Sequence, residues 1–328
     1  MVKPRLLITM GDVAGIGPEI IARSWPQLSL MADPVVVGDA AWMQRALTEV
    51  GSHGKVQRVE SLADARPSDD SVTCLQATSV RLGDVQVGRV SAAAGRASYE
   101  FLCRAIDETL AGQAHGIVTA PLHKEGLHAA GVKHPGHTEI LAERTGASEF
   151  AMVLYGEGIA VAHVTLHMAL SDVFARITRQ SVVEKIHLVH EMLPRLELQS
   201  KIGVCALNPH AGDGGLFGDE EKKIIAPAVM ECRNRGISVD GPWPSDTLFV
   251  RAAQGEFNGV VAMYHDQGHI AMKLRCGKRA VNISAGLPII RTSVAHGTAY
   301  DIAGQGLADP SSMIAAADAA CRLIRNSS

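Results

Sequence analysis

The chain of 328 residues is 47% hydrophobic and 20% charged with a formal net charge of -3, the profile of a soluble globular protein long enough for two domains. It has no basic face to follow a phosphate backbone, and an aromatic content of 4% leaves few platforms for base stacking, so nucleic acid is excluded as the expected partner. No apolar run approaches the roughly 20 residues that span a bilayer, and "MVKPRLLITMGD" enters a strand-like run without signal-peptide features, which predicts a cytoplasmic protein with no membrane partner.

In chain order, "RLLITM", "PVVVGD", "GIVTAP", "KIGVCAL" and "GVVAMYH" read as buried strands, because continuous apolarity suits parallel sheets covered on both faces. Amphipathic stretches such as "ASYEFLCRAIDETLAG", "SVVEKIHLVHEMLPRL" and "DEEKKIIAPAVMECRNRG" alternate with them, so the predicted class is α/β. After the first strand, "TMGDVAGIGPEII" sets Gly11, Gly15 and Gly17 ahead of a helix opened by Pro18. The spacing is not G-x-G-x-x-G, and Glu19 in the first turn opposes a phosphate there, so a tight strand-to-helix turn and a cleft-lining role are equally open. Further on, "EFAMVLYGEGIAVAHVTLH" reads as an antiparallel hairpin turning at "GEG", an interface element within a mostly parallel protein. The six cysteines are scattered without a C-x-x-C pair and are read as reduced thiols.

Polar residues collect after the strand-like runs, where ligands gather in open α/β sheets. "KHPGHTEI" offers His137 and Thr138 at a helix start suited to an anion. His167 in "AHVTLHMAL", His210 in "CALNPHAGDGG" and His265 in "AMYHDQG" form a trio which, if it converges, can bind one divalent ion. Taken singly, each is more often a core or surface histidine. Lys273, Asn282 and Arg291 follow as two cations and an amide fit for a phosphate or carboxylate. His269 lies midway between His265 and Lys273 at helical spacing, so it either faces a substrate hydroxyl or packs inward.

The ordered set "ITMGD", "AGIGPE", "TAPLHKEGLHAAG", "PGHTE", "LNPHAGDGGLFGDEE", "DTLF", "MYHDQG" and "GLPIIRTSVAHGTAYDIAG" resembles, over essentially the whole chain, the 4-hydroxythreonine-4-phosphate dehydrogenase family of pyridoxal phosphate biosynthesis. The tail is also similar to the dinucleotide loop of isopropylmalate and isocitrate dehydrogenases. The resemblance implies their fold, two α/β/α lobes around a central cleft, here residues 1–135 with 286–328 on the dinucleotide side and 136–285 on the metal, substrate and dimerisation side. It implies His167, His210 and His265 as metal ligands, with His265 reaching the other subunit's site in a homodimer with shared active sites. His137, Thr138, Lys273, Asn282 and Arg291 become substrate contacts, and Asp246, Asp266 and Lys273 catalytic groups. His296, Gly297, Asp301 and Gly304 become contacts to NAD or NADP. The implied ion is zinc, with magnesium, cobalt or manganese as alternatives. The implied reaction is oxidation, with decarboxylation, of a phosphorylated 3-hydroxy acid.

Val13 departs from the family's proline, and "HDQGHIAMK" is closer to paralogues acting on D-threonate or D-erythronate 4-phosphate. A terephthalate-type dihydrodiol dehydrogenase ranks lower. From other classes, a metal-dependent hydrolase would leave "HGTAYDIAG" without a task, and a phosphate-binding module would use the metal structurally.

Overall fold

A computed structural model describes residues 3–66, 68, 71–147 and 150–327. The chain divides into two compact units, Met1–Phe150 with Leu287–Ile324, and Ala151–Gly286 with Arg325–Ser328. The first begins with β1 (Arg5–Thr9), α1 (Gly17–Met31), β2 (Asp33–Gly38), α2 (Ala40–Glu49), β3 (Lys55–Val59), β4 (Ser71–Gln76), α3 (Ala92–Leu110), β5 (Gly116–Thr119), α4 (Lys124–Ala129) and α5 (His137–Thr145). The second holds β6 (Ala151–Gly156), β7 (Ile159–His163), α6 (Leu170–Arg176), α7 (Arg179–Arg195), β8 (Ile202–Cys205), α8 (Ala226–Asn234), β9 (Val239–Trp243), α9 (Ser245–Ala253), β10 (Gly259–Ala262), α10 (His265–Cys276) and β11 (Val281–Ala285). β12 (Ile290–Val294) and α11 (Ser311–Arg325) follow. The sequence-based division at 135/136 differs from the observed one at 150/151, because α5 packs on α3 and so stays with the first unit.

In the first unit the strands run β3-β4-β2-β1-β5-β12, every pair parallel. All four residues of β5 are buried, as continuous apolarity predicts for a strand covered on both faces. In the second unit the order is β11-β6-β7-β10-β8-β9. β6 is antiparallel to β11 and to β7, while β7, β10, β8 and β9 are mutually parallel. The β6–β7 pair is the hairpin read from "GEG": Glu157 and Gly158 turn at φ 49° and 77°, the left-handed pair that matches strand twist.

The strand-to-helix turn after β1 is a close-packed joint. Gly11 has φ 68°, and a Cβ there would overlap the Pro121 carbonyl oxygen. Glu19 is buried and accepts the Ala308 N–H at 2.7 Å, so its carboxylate closes a loop and does not face an anion.

Candidate active site

Topology gathers the chemistry of the second unit. His167 follows β7, His265 follows β10 and His210 follows β8, at the carboxyl ends of three neighbouring parallel strands, and Asp246 follows β9 beside them. The start of α10 is held from both sides. Gln267 accepts the Met263 N–H through Oε1 at 2.6 Å and donates from Nε2 to the Ala206 carbonyl at 2.8 Å and to Ser245 Oγ at 2.7 Å. Thr165 donates its hydroxyl to the Met263 carbonyl at 2.8 Å.

His265 therefore has a fixed backbone, and its Nδ1 lies 2.6 Å from Asp266 Oδ1. A carboxylate on Nδ1 selects the tautomer whose Nε2 lone pair is available to a ligand. The ring centroids of His265 and His167 are 5.7 Å apart. Both line an open pocket of about 300 Å³ with Asp266, Tyr264, Met168 and Leu170. His167 and His265 thus bring two imidazoles to one pocket, and neutral imidazoles are common ligands of divalent ions of the zinc class.

His210 stands on unusual backbone. His210, Ala211, Gly212, Asp213 and Gly214 all have positive φ, between 42° and 78°, a left-handed turn in which three members are not glycine. Such residues cost about 1–3 kcal/mol each and persist only when their surroundings impose them. Glu221 supplies much of that restraint: buried, it accepts the Leu207 and Asn208 N–H groups through Oε1 at 2.8 Å each and Asn208 Nδ2 through Oε2 at 3.0 Å. Burial alone would raise its pKa, but these hydrogen bonds outweigh it and hold the carboxyl below the usual range. The exposed His210 ring contacts Asp213 Oδ2 at 3.3 Å. Among the described residues of the single chain, no three His, Cys, Asp or Glu side chains are arranged to hold a metal ion, so His167 and His265 come together and His210 does not complete a set with them.

His269 faces inward. It is 7% exposed, its ring stacks on His265 at 3.7 Å between centroids, and its Nδ1 lies 3.2 Å from His163 Nε2. Of the two orientations open from helical spacing, packing is the one observed, because Gly268 lets α10 sit directly on the His163 ring at the end of β7. Burial and neighbouring imidazoles push His269 down to about 4 and His163 to about 3, so both are neutral at pH 7. Sequence reasoning missed His163, although it lies in the quoted "HVTLH" at the end of a strand-like run. Lys273 is exposed in the last turn of α10. Asn282 Oδ1 on β11 is buried without a hydrogen-bond partner among the described residues, the state of an acceptor awaiting a donor. Asp246 is exposed in the first turn of α9 and accepts the Thr247 N–H at 2.9 Å.

In the first unit His137 and Thr138 open α5 behind Gly136. Arg291 on β12 is buried and donates to Thr119 Oγ1 at 2.6 Å. Burial pulls its pKa down to about 9, which leaves it cationic at neutral pH. Burial and the charge of Arg291 drive His137 well below the ordinary histidine value. A neutral imidazole, a hydroxyl and a buried guanidinium together suit a phosphate or carboxylate oxygen. The segment 296–304 carries His296, Gly297, Asp301 and Gly304; around Gly297 the space a side chain would fill is open, and Asp301 is exposed.

Comparison with known proteins fits this geometry. The model of the PdxA family, pyridoxal phosphate biosynthetic protein PdxA, matches residues 30–320. The chain is 45% identical over 324 residues to the 4-hydroxythreonine-4-phosphate dehydrogenase of Beijerinckia indica, covering 98% of this chain and 96% of that protein. It is 46% identical over 318 residues to the D-threonate 4-phosphate dehydrogenase of Cupriavidus necator, covering 95% of each. The crystal structure of 4-hydroxythreonine-4-phosphate dehydrogenase from Klebsiella pneumoniae superposes with a TM-score of 0.88 at 39% identity, covering 99% of both chains. With its parallel strands, its histidines at neighbouring strand ends and this match along nearly all its length, the chain belongs to the PdxA family.

Proposed function

We propose that this chain is a metal-dependent, NAD(P)-linked dehydrogenase that oxidises the C3 hydroxyl of a 4-phosphorylated four-carbon acid, with 4-hydroxythreonine 4-phosphate as substrate and loss of CO2 following. The observation that carries this reading is the placement of His167, His265 and His210 at the ends of β7, β10 and β8 in a chain of this family. His167, His210 and His265 would hold the ion, zinc by the all-imidazole donor set, with magnesium, cobalt or manganese as other occupants. When bound, the ion supplies Lewis acidity toward the substrate hydroxyl and the nicotinamide supplies a hydride acceptor.

The chain's own residues do the rest. Asp266 orients His265 through Nδ1, and the buried His163–His269 pair supports the ring from behind. Asp246, Asp266 and Lys273 are the groups that move protons: one takes the C3 hydroxyl proton, and one returns a proton to C2 after the carboxylate β to the new carbonyl leaves as CO2. His137, Thr138 and Arg291 bind an anionic end of the substrate, and Lys273 and Asn282 are further substrate contacts that bring an ammonium and an amide. His296, Gly297, Asp301 and Gly304 contact the dinucleotide. The working form is a cytoplasmic homodimer in which His265 is contributed across the subunit interface.

A second reading, D-threonate 4-phosphate dehydrogenase, is favoured by the 46% identity to the Cupriavidus necator enzyme. The discriminating measurement is kcat/KM for 4-hydroxythreonine 4-phosphate, D-threonate 4-phosphate and D-erythronate 4-phosphate, with NAD and with NADP, following reduced nicotinamide absorbance in the zinc-loaded protein. The amino-acid phosphate should be turned over at least tenfold better. A tenfold preference for a sugar-acid phosphate would replace the first reading with the second, and no reduction with any of the three would end both.

A further inference from the structure

Asp12, in the glycine-rich turn after β1, is fully buried, a costly place for a carboxylate that the proposed reaction does not use. Its Oδ1 accepts the Ala14 N–H at 2.9 Å and its Oδ2 accepts the Tyr300 hydroxyl at 2.8 Å. Tyr300 lies in the 296–304 segment. The same turn grips that segment a second time: Ile16 donates its N–H to the Thr298 carbonyl at 3.0 Å, and Gly15 approaches so closely that a Cβ would stand 2.8 Å from the Thr298 oxygen. Between the two gripped residues, Ala299 has φ 43°, in the left-handed region that a residue with a Cβ avoids. The Tyr300 ring is also held from one face by His123, stacked at 4.8 Å between centroids and 9° between planes. From below, Gly88 packs where a Cβ would stand 2.9 Å from the Tyr300 carbonyl oxygen.

We propose that Asp12 is a positioning residue for the dinucleotide: through Tyr300 on one side and the Ile16–Thr298 bond on the other, the glycine-rich turn clamps the 296–304 loop around a strained Ala299 and keeps it in its binding shape. This rests on the reading that the 296–304 loop contacts the dinucleotide. The physical logic is preorganisation. A left-handed alanine favours release of the loop, two clamps oppose release, and apparent affinity falls by the fraction of time the loop is released. The strand-to-helix turn thereby has a task that its sequence does not advertise, since it holds the loop that contacts the cofactor.

The test combines NADH binding, by calorimetry and nicotinamide fluorescence, with amide hydrogen exchange across residues 297–304 in the full-length protein. Tyr300→Phe removes the bond to Asp12 and keeps the ring against His123. It should weaken NADH binding about tenfold, the effect of a loop populated one-tenth of the time, and speed exchange in that segment. Ala299→Gly removes the left-handed penalty, so the double variant Ala299→Gly/Tyr300→Phe should regain NADH affinity to within about twofold of the parent. A purely structural role for Asp12 would not be rescued in this way. Faster loop exchange with unchanged NADH affinity would overturn the proposal, as would a double variant whose exchange returns to the parent's while its affinity does not. His296→Ala and Asp301→Ala are measured alongside: if they leave affinity unaltered while Tyr300→Phe lowers it, the assignment of those contacts fails and the clamp stands.

Discussion

His163 and His269 are neutral imidazoles inside a folded unit, and that has a cost in acid. Their folded pKa values, about 3 and about 4, lie below the ordinary histidine value of 6.5, so between these limits the unfolded chain binds more protons than the folded one. Stability should therefore be highest above about pH 7 and decline as pH falls through the window from 6.5 toward 4, with a limiting slope of about 1.4 kcal/mol per pH unit for each group. His269→Leu removes one of the two. Urea unfolding followed from pH 7.5 to pH 5 should show a shallower loss in that variant than in the parent, and equal slopes would mean that His269 is not held neutral in the folded protein. At this same scale, His269 packs inside the unit against His265 and His163, the inward of the two orientations open from helical spacing.

Among the elements, the left-handed turn 210–214 depends most on one distant side chain. Glu221 accepts N–H groups from both Leu207 and Asn208, and a Cβ on Gly212 would stand 2.8 Å from Glu221 Oε2, so the carboxylate and the turn fit only together. Glu221→Gln replaces an acceptor oxygen by an N–H donor that faces other donors. It should cost about 1–3 kcal/mol in urea unfolding, and it should weaken zinc binding, read by competition with a chromogenic chelator, because His210 loses its imposed backbone. Unchanged zinc affinity in a folded Glu221→Gln protein would separate the turn from metal binding.

For the whole molecule the question is how the working sites are assembled. In the second unit α6 exposes Leu170 and Phe174, 61% and 54% accessible, and α10 exposes Ile270 and Leu274, 58% and 82% accessible, each pair four residues apart on its helix. In the proposed homodimer these side chains are candidates for contact with the other subunit. The homodimer proposal then makes a sharp prediction for mixed subunits. His167→Ala and His265→Ala proteins should each be inactive, and after verified subunit exchange the mixture should regain activity, since one site of each mixed dimer has all three histidines. No recovery would mean that each chain uses its own His265, whose ring lies 5.7 Å from its own His167.

What the sequence determined by itself was whatever short-range chemistry dictates. Continuous apolar runs such as "GIVT" and "GVVA" suit parallel strands covered on both faces, a "GEG" turn between two strand-like runs suits a hairpin, and polar residues placed after strand-like runs fall at strand ends. For that reason the α/β class and the neighbourhood of His167, His210 and His265 were legible, and the order of motifs along the chain carried the family. Tertiary structure decided everything that depends on contacts between residues far apart in sequence. It brought His163 beneath His269, 106 residues away, because Gly268 lets a helix rest on a strand end. It tied Asp12 to Tyr300 across 288 residues and braced a left-handed turn with Glu221. No local pattern encodes such pairings: side-chain periodicity tells which face of an element is buried, whereas the partner on that face is chosen by the packing of the whole unit.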